Sequence, residues 1–437
     1  MTHCNPSTIQ FPACRKRGVE VGFDGGDVTS NGGAVLLGQA DRLLGLVKSV
    51  AGGLGDPRQP GKVRHGVADM LRQRVFGIAL GYEDLNDHDT LRHDLAVQTA
   101  GGGDAPLASA ASLCRFENRA GPQWAWAVHR VLVDVFIASF DAAPEQIVLD
   151  FDATDDRVHG KQEGRFFHGY YDHYCFLPLY VFAGDHLLAA YLRPADIDPA
   201  KHAAAILKLL TTRLRQTWPQ VRIIVRADSG FCRWRLMSWC ERHGLGYITG
   251  LARNSRLQAL AEPHMAAAKA RFETEGSKQR CFAELSYAAN SWNKERRVIA
   301  RLEHTARGAN PRFVVTNLEG DGQQLYDRLY CARGEMENRI KEQQLHLFAD
   351  RTSCHRWWPN QFRLLLASLA YVLMAAIRRI GLTGTEQARA QCITIRLKLL
   401  KIGAVIIRNT RRVRFMLSSA CPDQDLFRLV AARLRPG

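Results

Sequence analysis

Hydrophobic and polar positions follow two different periods along this chain, and the change between them divides it. From Lys62 to Leu80 the apolar residues Val63, Val67, Met70, Leu71, Val75 and Ile78 recur at helical spacing. Pro57-Arg-Gln-Pro-Gly leads into that stretch as a helix-start signal. Gly101-Gly-Gly reads as a loop, and Leu113–Arg119 opens a further helix continuing through Trp124 to Phe140. Residues 1–140 are thus predicted to be a mostly helical region. From Gln146 short apolar runs take over. Ile147–Asp152, Phe176–Phe182 and His186–Arg193 read as strands, the last two joined by the hairpin turn Gly184-Asp185. A helix (Lys201–Thr217), a strand (Arg222–Ala227), a helix (Cys232–His243) and a fifth strand (Gly246–Leu251) follow.

Three strands, helix, strand, helix, strand is the succession of an RNase H-like α/β fold: an antiparallel meander, then parallel strands with crossover helices. The first strand of its mixed five-stranded sheet is central and the fourth lies beside it. Asp152 and Asp228, each closing an apolar run, then fall together at the carboxyl ends of adjacent strands, where open α/β sheets collect ligands. Strand alternation puts Asp150 on the same face as Asp152, and either suits that position. Between about 252 and 318 the pattern is interrupted by a helix (Ala261–Phe272) and three strand-like runs, read as a β-rich insertion. The predicted organisation is a helical region (1–140), an α/β core (141–350) and a basic C-terminal region (351–437).

Charge changes the picture. The net charge is +16 with a pI near 9.6. Arg351–Gly437 alone holds 16 Lys and Arg against three acids, Glu386, Asp423 and Asp425. A concentrated positive surface attracts polyanions, nucleic acid above all. Ile393–Leu399 and Val405–Leu417 alternate apolar with basic residues, and predict a β-rich basic face in which Arg408, Arg411, Arg412 and Arg414 track a DNA backbone. Arg64, Arg72 and Arg74 face phosphates if the Lys62–Leu80 helix meets DNA. The 11 cysteines are scattered without a Cys-x-x-Cys pair, which fits reduced thiols rather than a disulfide scaffold or zinc ribbon. The first thirty residues lack a signal pattern, and the longest apolar run, Leu364–Ile377, is too short for a membrane span and reads as a core helix. A cytoplasmic protein, nucleoid-associated when bound to DNA and with no membrane partner, is expected.

A third acid completes the chemistry. Glu337 lies in the helical stretch Tyr330–Glu342, with Arg333, Glu337 and Lys341 four residues apart on one face. Two strand-end aspartates and a helix glutamate supply the oxygen ligands of a two-metal phosphoryl-transfer site, taking Mg²⁺ with Mn²⁺ as a substitute. Arg333 and Lys341 are placed to hold phosphates of a bound strand, and Tyr330, one turn earlier, to contact another. Glu335 and Glu342 point to other faces and read as surface residues. His88 and His93 with nearby aspartates read as a capped polar loop rather than a metal site.

With these residues the chain resembles the insertion-sequence DDE transposases, especially those with a β-strand insertion in the RNase H-like core. Tyr330, Arg333 and Glu337 match that group's signature helix in spacing. Asp152-Ala-Thr154 and Ala227-Asp-Ser-Gly-Phe231 match its first two acidic motifs, and the likeness runs from about Gly33 to Leu434. Gln344 stands where the signature has lysine, a part Lys341 is near enough to take. The resemblance implies cutting of double-stranded DNA at element ends and joining of the freed 3′-hydroxyls to a target, by a homodimer on DNA. It also implies a tryptophan from the insertion placed against a flipped base, with Trp292 as the candidate. A nuclease on the same fold that cleaves without joining, and a catalytically dead DNA-binding repressor, are the competing readings; the intact acidic trio speaks against the repressor.

Overall fold

The structure, a computed structural model, describes residues 8–435. Residues 1–7 and 436–437, the outer ends of the expected terminal regions, lie outside the described residues. The chain divides into two compact units: Glu117–Ser368, and Met1–Phe116 taken with Leu369–Gly437.

In the unit Glu117–Ser368, helix α1 (Pro122–Ile137) precedes strand β1 (Gln146–Ala153). The stretch expected as one helix from Leu113 is broken, Ala110–Glu117 ending before Pro122 starts the next helix at its favoured first position. Strands β2 (Leu179–Ala183) and β3 (His186–Tyr191) form the meander, β1 pairing antiparallel with β2 and β2 with β3. After helix α2 (Ala203–Thr217), strand β4 (Arg222–Ala227) runs parallel to β1, and after α3 (Trp234–Arg242), strand β5 (Gly246–Leu251) runs parallel to β4. The order β3-β2-β1-β4-β5 is the expected five-stranded arrangement. Phe176–Phe182 is not one strand, however. His173–Phe176 belongs to a separate three-stranded sheet with Asp156–Arg157 and Phe166–His168, and Pro178, which has no N–H to donate, stands between it and β2.

Alternation along β1 sorts its two faces. Ile147, Leu149 and Phe151 point into the main core with Val181, Ile223, Val225, Leu207 and Met237. Val148 instead packs with Ile224, Ile248, Tyr326 and Leu329, against the helical stretch that later carries Glu337. Asp150 and Asp152 share that second face. One pleat below the strand ends, Arg226 of β4 sits directly opposite Asp150 and binds it bidentately, Nε–Oδ1 at 2.5 Å and Nη2–Oδ2 at 2.7 Å.

The insertion is not a separate layer. Helix α4 (Ser255–Glu275) leads to strands β6 (Gln279–Tyr287), β7 (Arg296–Thr305) and β8 (Arg312–Thr316). Strand β8 pairs antiparallel with β5, β7 with β8, and β6 with β7. Among the described residues this gives one nine-stranded sheet, counting the short strand Gly308–Ala309 against β7. Without that addition β5 would be an open edge.

In the second unit the basic residues depart most from expectation. Helix Val67–Leu80 starts five residues later than predicted and is buried on nearly every side. Arg74, 3% exposed, faces His88 at 3.0 Å, and Arg72 pairs with Asp41 at 3.0 Å, so neither presents to phosphates; Arg64 precedes the helix and is exposed. His88 is itself fully buried, its imidazole driven down to about 3 by burial, with Arg74's charge adding. Ile393–Leu399 is helical rather than extended. Cys392, Ile395, Arg396, Leu399 and Leu400 are its buried residues, at helical spacing. Arg396 gives its Nε to Ala79 O and Nη2 to Ile78 O, closing the carbonyl end of Val67–Leu80, and Gly81 beyond has φ +93. Ala404–Arg408 and Val413–Leu417 do pair antiparallel, with Val28–Thr29 as third strand. Arg408 turns inward to Asp104 O and Gln98 Oε1, whereas Arg411, Arg412 and Arg414 are exposed. One described helix, Trp357–Gly381, is long and apolar enough to cross a membrane; 83% of its most apolar window is buried inside the protein.

The Asp150–Arg226 pair generates a stability prediction. Arg226→Leu leaves a buried carboxylate without a counter-charge and is expected to cost about 3–5 kcal/mol in urea unfolding. Replacing Asp150 by Leu as well is expected to recover most of that loss. A single-variant loss below about 1 kcal/mol would mean that the pair is solvated.

Candidate active site

Strand β1 delivers Asp152 to the carboxyl end of the sheet, where its Oδ1 accepts from the Ala153 N–H at 2.9 Å. Asp228 follows directly after β4. Its Oδ1 accepts from the Gly230 N–H at 2.9 Å and so caps the turn Ser229–Phe231. The third acid comes from a continuous helical run, Gly322–His346, that changes pitch repeatedly. Wide turns at Leu325–Tyr330 give way to a tight turn at Cys331–Arg333, then helix α5 (Gly334–Lys341), then wide turns again to His346. Such departures from regular pitch recur at functional sites.

Arg333 joins the pieces. Its Nη1 donates to Asp152 Oδ2 at 3.1 Å and its Nη2 to Glu337 Oε1 at 2.5 Å, linking acids 185 positions apart in sequence through one guanidinium. Burial pushes the Asp152 carboxyl up to about 7 despite Arg333, with the charges of Asp228 and Glu337 adding. Burial works against the charge on Arg333, but Asp152 and Glu337, with Asp228 further off, more than offset it and its pKa rises. Tyr330, raised to about 12 mainly by burial with Asp228 contributing, keeps its proton. Asp152, Asp228, Glu337, Arg333 and Tyr330 therefore form one electrostatic cluster. Gly250 of β5 makes room for it, since a Cβ there would lie 2.7 Å from Tyr330 Oη and 2.9 Å from the Ser229 nitrogen.

Asp150 and Asp152 have separate fates. Asp150 is 2% exposed and committed to Arg226, and burial holds its carboxyl above the ordinary range. Arg226 also sends Nη1 to Leu329 O at 2.5 Å, fixing the helical run one turn before Arg333. Gln344, at the signature lysine's position, donates to Asp155 O at 2.9 Å and ties the far end of the run to the chain leaving β1. Lys341 and Glu335 are exposed, but Glu342 is not a surface residue: it is 2% exposed and meets Arg339 at 3.4 Å. Trp292 packs against the main core, its edge toward Tyr287 and the Arg296 guanidinium 5.5 Å over its ring. Of the basic residues expected to meet DNA, Arg411 and Arg412 lie exposed in the turn after Asn409, whose Oδ1 accepts both their N–H groups. The residues that sequence reading missed are Arg226 and Gly250; only Arg226 carried a signal, as a charge inside an otherwise apolar run.

Three carboxylates answered by one guanidinium leave excess negative charge, and an all-oxygen acid set is the donor chemistry of a hard divalent cation. Among the described residues no group of three or more His, Cys, Asp or Glu side chains is gathered tightly enough to be a ready metal cluster. The cation joining two of the acids is Arg333.

A sheet of this strand order, an antiparallel meander followed by parallel strands with crossover helices, is RNase H-like. The chain matches the family described as Transposase DDE domain group 1 over residues 11–437, and it belongs to that family. It is a DNA transposase, an enzyme of DNA strand cleavage and transfer, with DNA as its partner. Its family uses divalent metal ions. Comparison with the curated proteins returns no match. Among solved structures it is similar to the piggyBac transposase in a synaptic complex with hairpin DNA, seen by cryo-EM, at 12% identity and TM-score 0.43 over 84% of this chain and 79% of that one.

Asp152 carries a pH signature. In the metal-free protein its carboxyl titrates near 7 rather than near the usual value of about 4, so the folded state holds its proton better than the unfolded chain. The stability it contributes is present below about pH 4 and lost as pH rises to about 7. Asp152→Asn is expected to raise the urea midpoint of the metal-chelated protein at pH 8, by on the order of a few kcal/mol in stability, and to leave it nearly unchanged at pH 4. An equal effect at both pH values would sink the assignment.

Proposed function

We propose that this transposase cuts double-stranded DNA at the ends of its mobile element and joins the freed 3′-hydroxyls to target DNA, with Asp152, Asp228 and Glu337 as catalytic residues that hold Mg²⁺. Mn²⁺ is proposed as a substitute. The observation that carries this reading is the clamp of Arg333 on Asp152 and Glu337, with the charge of Asp228 felt at the same carboxylate. When bound, a pair of such ions activates the attacking water or 3′-hydroxyl and stabilises the leaving oxygen.

The protein's own groups supply position and charge. Asp152 and Asp228 stand on adjacent parallel strands, so their backbones are fixed by the sheet. Glu337 is half-exposed, its side chain 44% accessible, and has freedom to reorient on a helix braced at both ends. Arg333 offers the planar donor fork that suits phosphate oxygens once its carboxylates are otherwise engaged. Tyr330 keeps its proton at any physiological pH and can donate it in a hydrogen bond to a phosphate oxygen. Lys341 stands one turn past Glu337, exposed, as a further phosphate contact. Arg411 and Arg412, in the other unit, track the DNA backbone. Joining two element ends calls for two copies of the chain, hence a homodimer on DNA, working in the cytoplasm at the nucleoid.

The test uses a labelled duplex carrying an inverted repeat from the element flanks, with Mg²⁺. Cleavage and joining are expected. Asp228→Asn and Glu337→Gln are each expected to lower the cleavage rate by about 10³-fold or more, a loss of about 4 kcal/mol of transition-state stabilisation, while DNA binding persists. Cleavage without joining would assign a nuclease instead, and a mobility shift without cleavage a repressor. Full activity in either variant would show that the site lies elsewhere.

A further inference from the structure

Between Asp152 and β2 the chain makes a detour that the catalytic arrangement does not use. Asp156–Arg157, Phe166–His168 and His173–Phe176 form a small antiparallel sheet, its tip a tight turn at 169–172 with Asp172 at φ +56. Its base is well anchored. Phe176 meets Trp357 edge-on at 5.4 Å, and Gly164, at φ +78, lies so close to Trp357 that a Cβ would stand 2.6 Å from the ring. Asp156 is buried with Thr352 Oγ1 on its carboxylate at 2.8 Å.

Its tip is the opposite. Tyr170 is 85% exposed and Phe167 52%, with Phe166 and Tyr174 also exposed. Four large aromatics exposed on one short hairpin, Phe167 with Tyr174 on one face and Phe166 on the other, are more apolar surface than so small an element ordinarily leaves open. The rings are ordered against one another: Phe167 edge-on to Tyr174 at 5.6 Å, Tyr170 edge-on to Tyr171 at 5.0 Å, and the Arg165 guanidinium 4.5 Å over Tyr174. The cation in contact with the rings is Arg165, while Arg157, level with Cys175 and Phe166 on the other face, and Lys161 are exposed elsewhere in the same segment. The hairpin also belongs to the catalytic end of the sheet. It leaves β1 four residues after Asp152, and the Tyr171 hydroxyl feels the charges of Asp155 and Asp152.

We propose that this hairpin is a stacking platform for unpaired bases of the DNA strand beside the scissile phosphate, Phe167 and Tyr170 taking the bases and Arg165, over Tyr174, an adjoining phosphate. The inference rests on the transposase reading above. Exposed aromatics with cations between them are how single strands are held, since every base offers a π face and every linkage a phosphate. Aromatics and arginine also mark protein–protein interfaces, and it is the hairpin's departure from β1 four residues after Asp152 that favours the DNA strand as its occupant.

The experiment measures binding of the full-length protein to two fluorescein-labelled duplexes of one sequence, one fully paired and one with a three-base mismatch at its centre. A third copy carries 2-aminopurine within the mismatch, and its fluorescence falls on stacking. The wild type is expected to prefer the mismatched duplex by roughly 5- to 100-fold per stacked base. Phe167→Ala with Tyr170→Ala is expected to abolish both that preference and the quenching, leaving paired-duplex affinity and the thermal midpoint unchanged; Tyr170→Phe is expected to retain them. Equal binding of both duplexes by the wild type, or an unaltered preference in the double variant, overturns the platform alone. A double variant that instead changes self-association without DNA also overturns it, in favour of a protein interface. Failure to bind either duplex overturns the transposase reading with it.

Discussion

The arrangement of this catalytic unit depends on one buried ion pair. Asp150 and Arg226 lie opposite each other on adjacent parallel strands, and each strand's acid comes two residues later, Asp152 after Asp150 and Asp228 after Arg226. Because side chains repeat every second residue, the pair stands one pleat below the two aspartates on the same face. Whatever fixes the pair fixes the level at which the acids emerge. Arg226 has a further donor, and Nη1 reaches Leu329 O on the helical run that carries the third acid. One guanidinium thus sets the register of two strands and the height of a helix. Burying such a pair gains little stability against an apolar one, because desolvation opposes the attraction. Its contribution here is positional.

Arg333 does the reverse one turn later. It neutralises two carboxylates that would otherwise repel each other on the metal-free sheet, with Asp152 only 13% accessible. This bridge is made of groups suited to other partners, carboxylates to a divalent cation and a guanidinium to phosphate. On the function proposed above, substrate phosphate and ion would each replace these contacts in kind. Wide helical turns on either side of α5 leave backbone that adjusts more readily than a regular helix.

Much of this was legible before any coordinates. The strand and helix periods specify the five-strand order, and the three acids follow from it, because a strand end and a helix face are local properties. The family motif already preferred Asp152 to Asp150, but alternation puts both acids on one face, and what occupies Asp150 is seen only across the sheet, at Arg226, 76 positions away. The insertion's strands were visible individually, but nothing in an apolar run such as Phe313-Val-Val says which edge it joins; β8 completing the open side of β5 is a tertiary fact. Ile393–Leu399 misled because its residues satisfy both periods. Alternation holds over the whole run, while Cys392, Ile395, Leu399 and Leu400 satisfy the helical spacing, and burial chose the helix. Gly250 was silent in sequence, being demanded only by the approach of Tyr330.

Net charge, finally, is a poor map of where DNA lies. Arg396 is committed to the carbonyls that end helix Val67–Leu80, Arg408 to Asp104 and Gln98, Lys398 to Asp423, and Arg433 to Gly381 and Thr383. Arginine serves these internal tasks because its planar fork satisfies several carbonyls at once and its charge survives partial burial. Among the exposed basic residues of the C-terminal stretch, Arg411, Arg412 and Arg414 are gathered in one turn and strand. A polyanion attracted by the whole +16 is then positioned by a few exposed groups, and the acidic cluster, negative on its own account, adds nothing to that attraction. On the function proposed above, long-range charge brings the duplex to the protein, while the short-range fit at Arg333, Tyr330 and Lys341 decides which phosphate sits over the carboxylates.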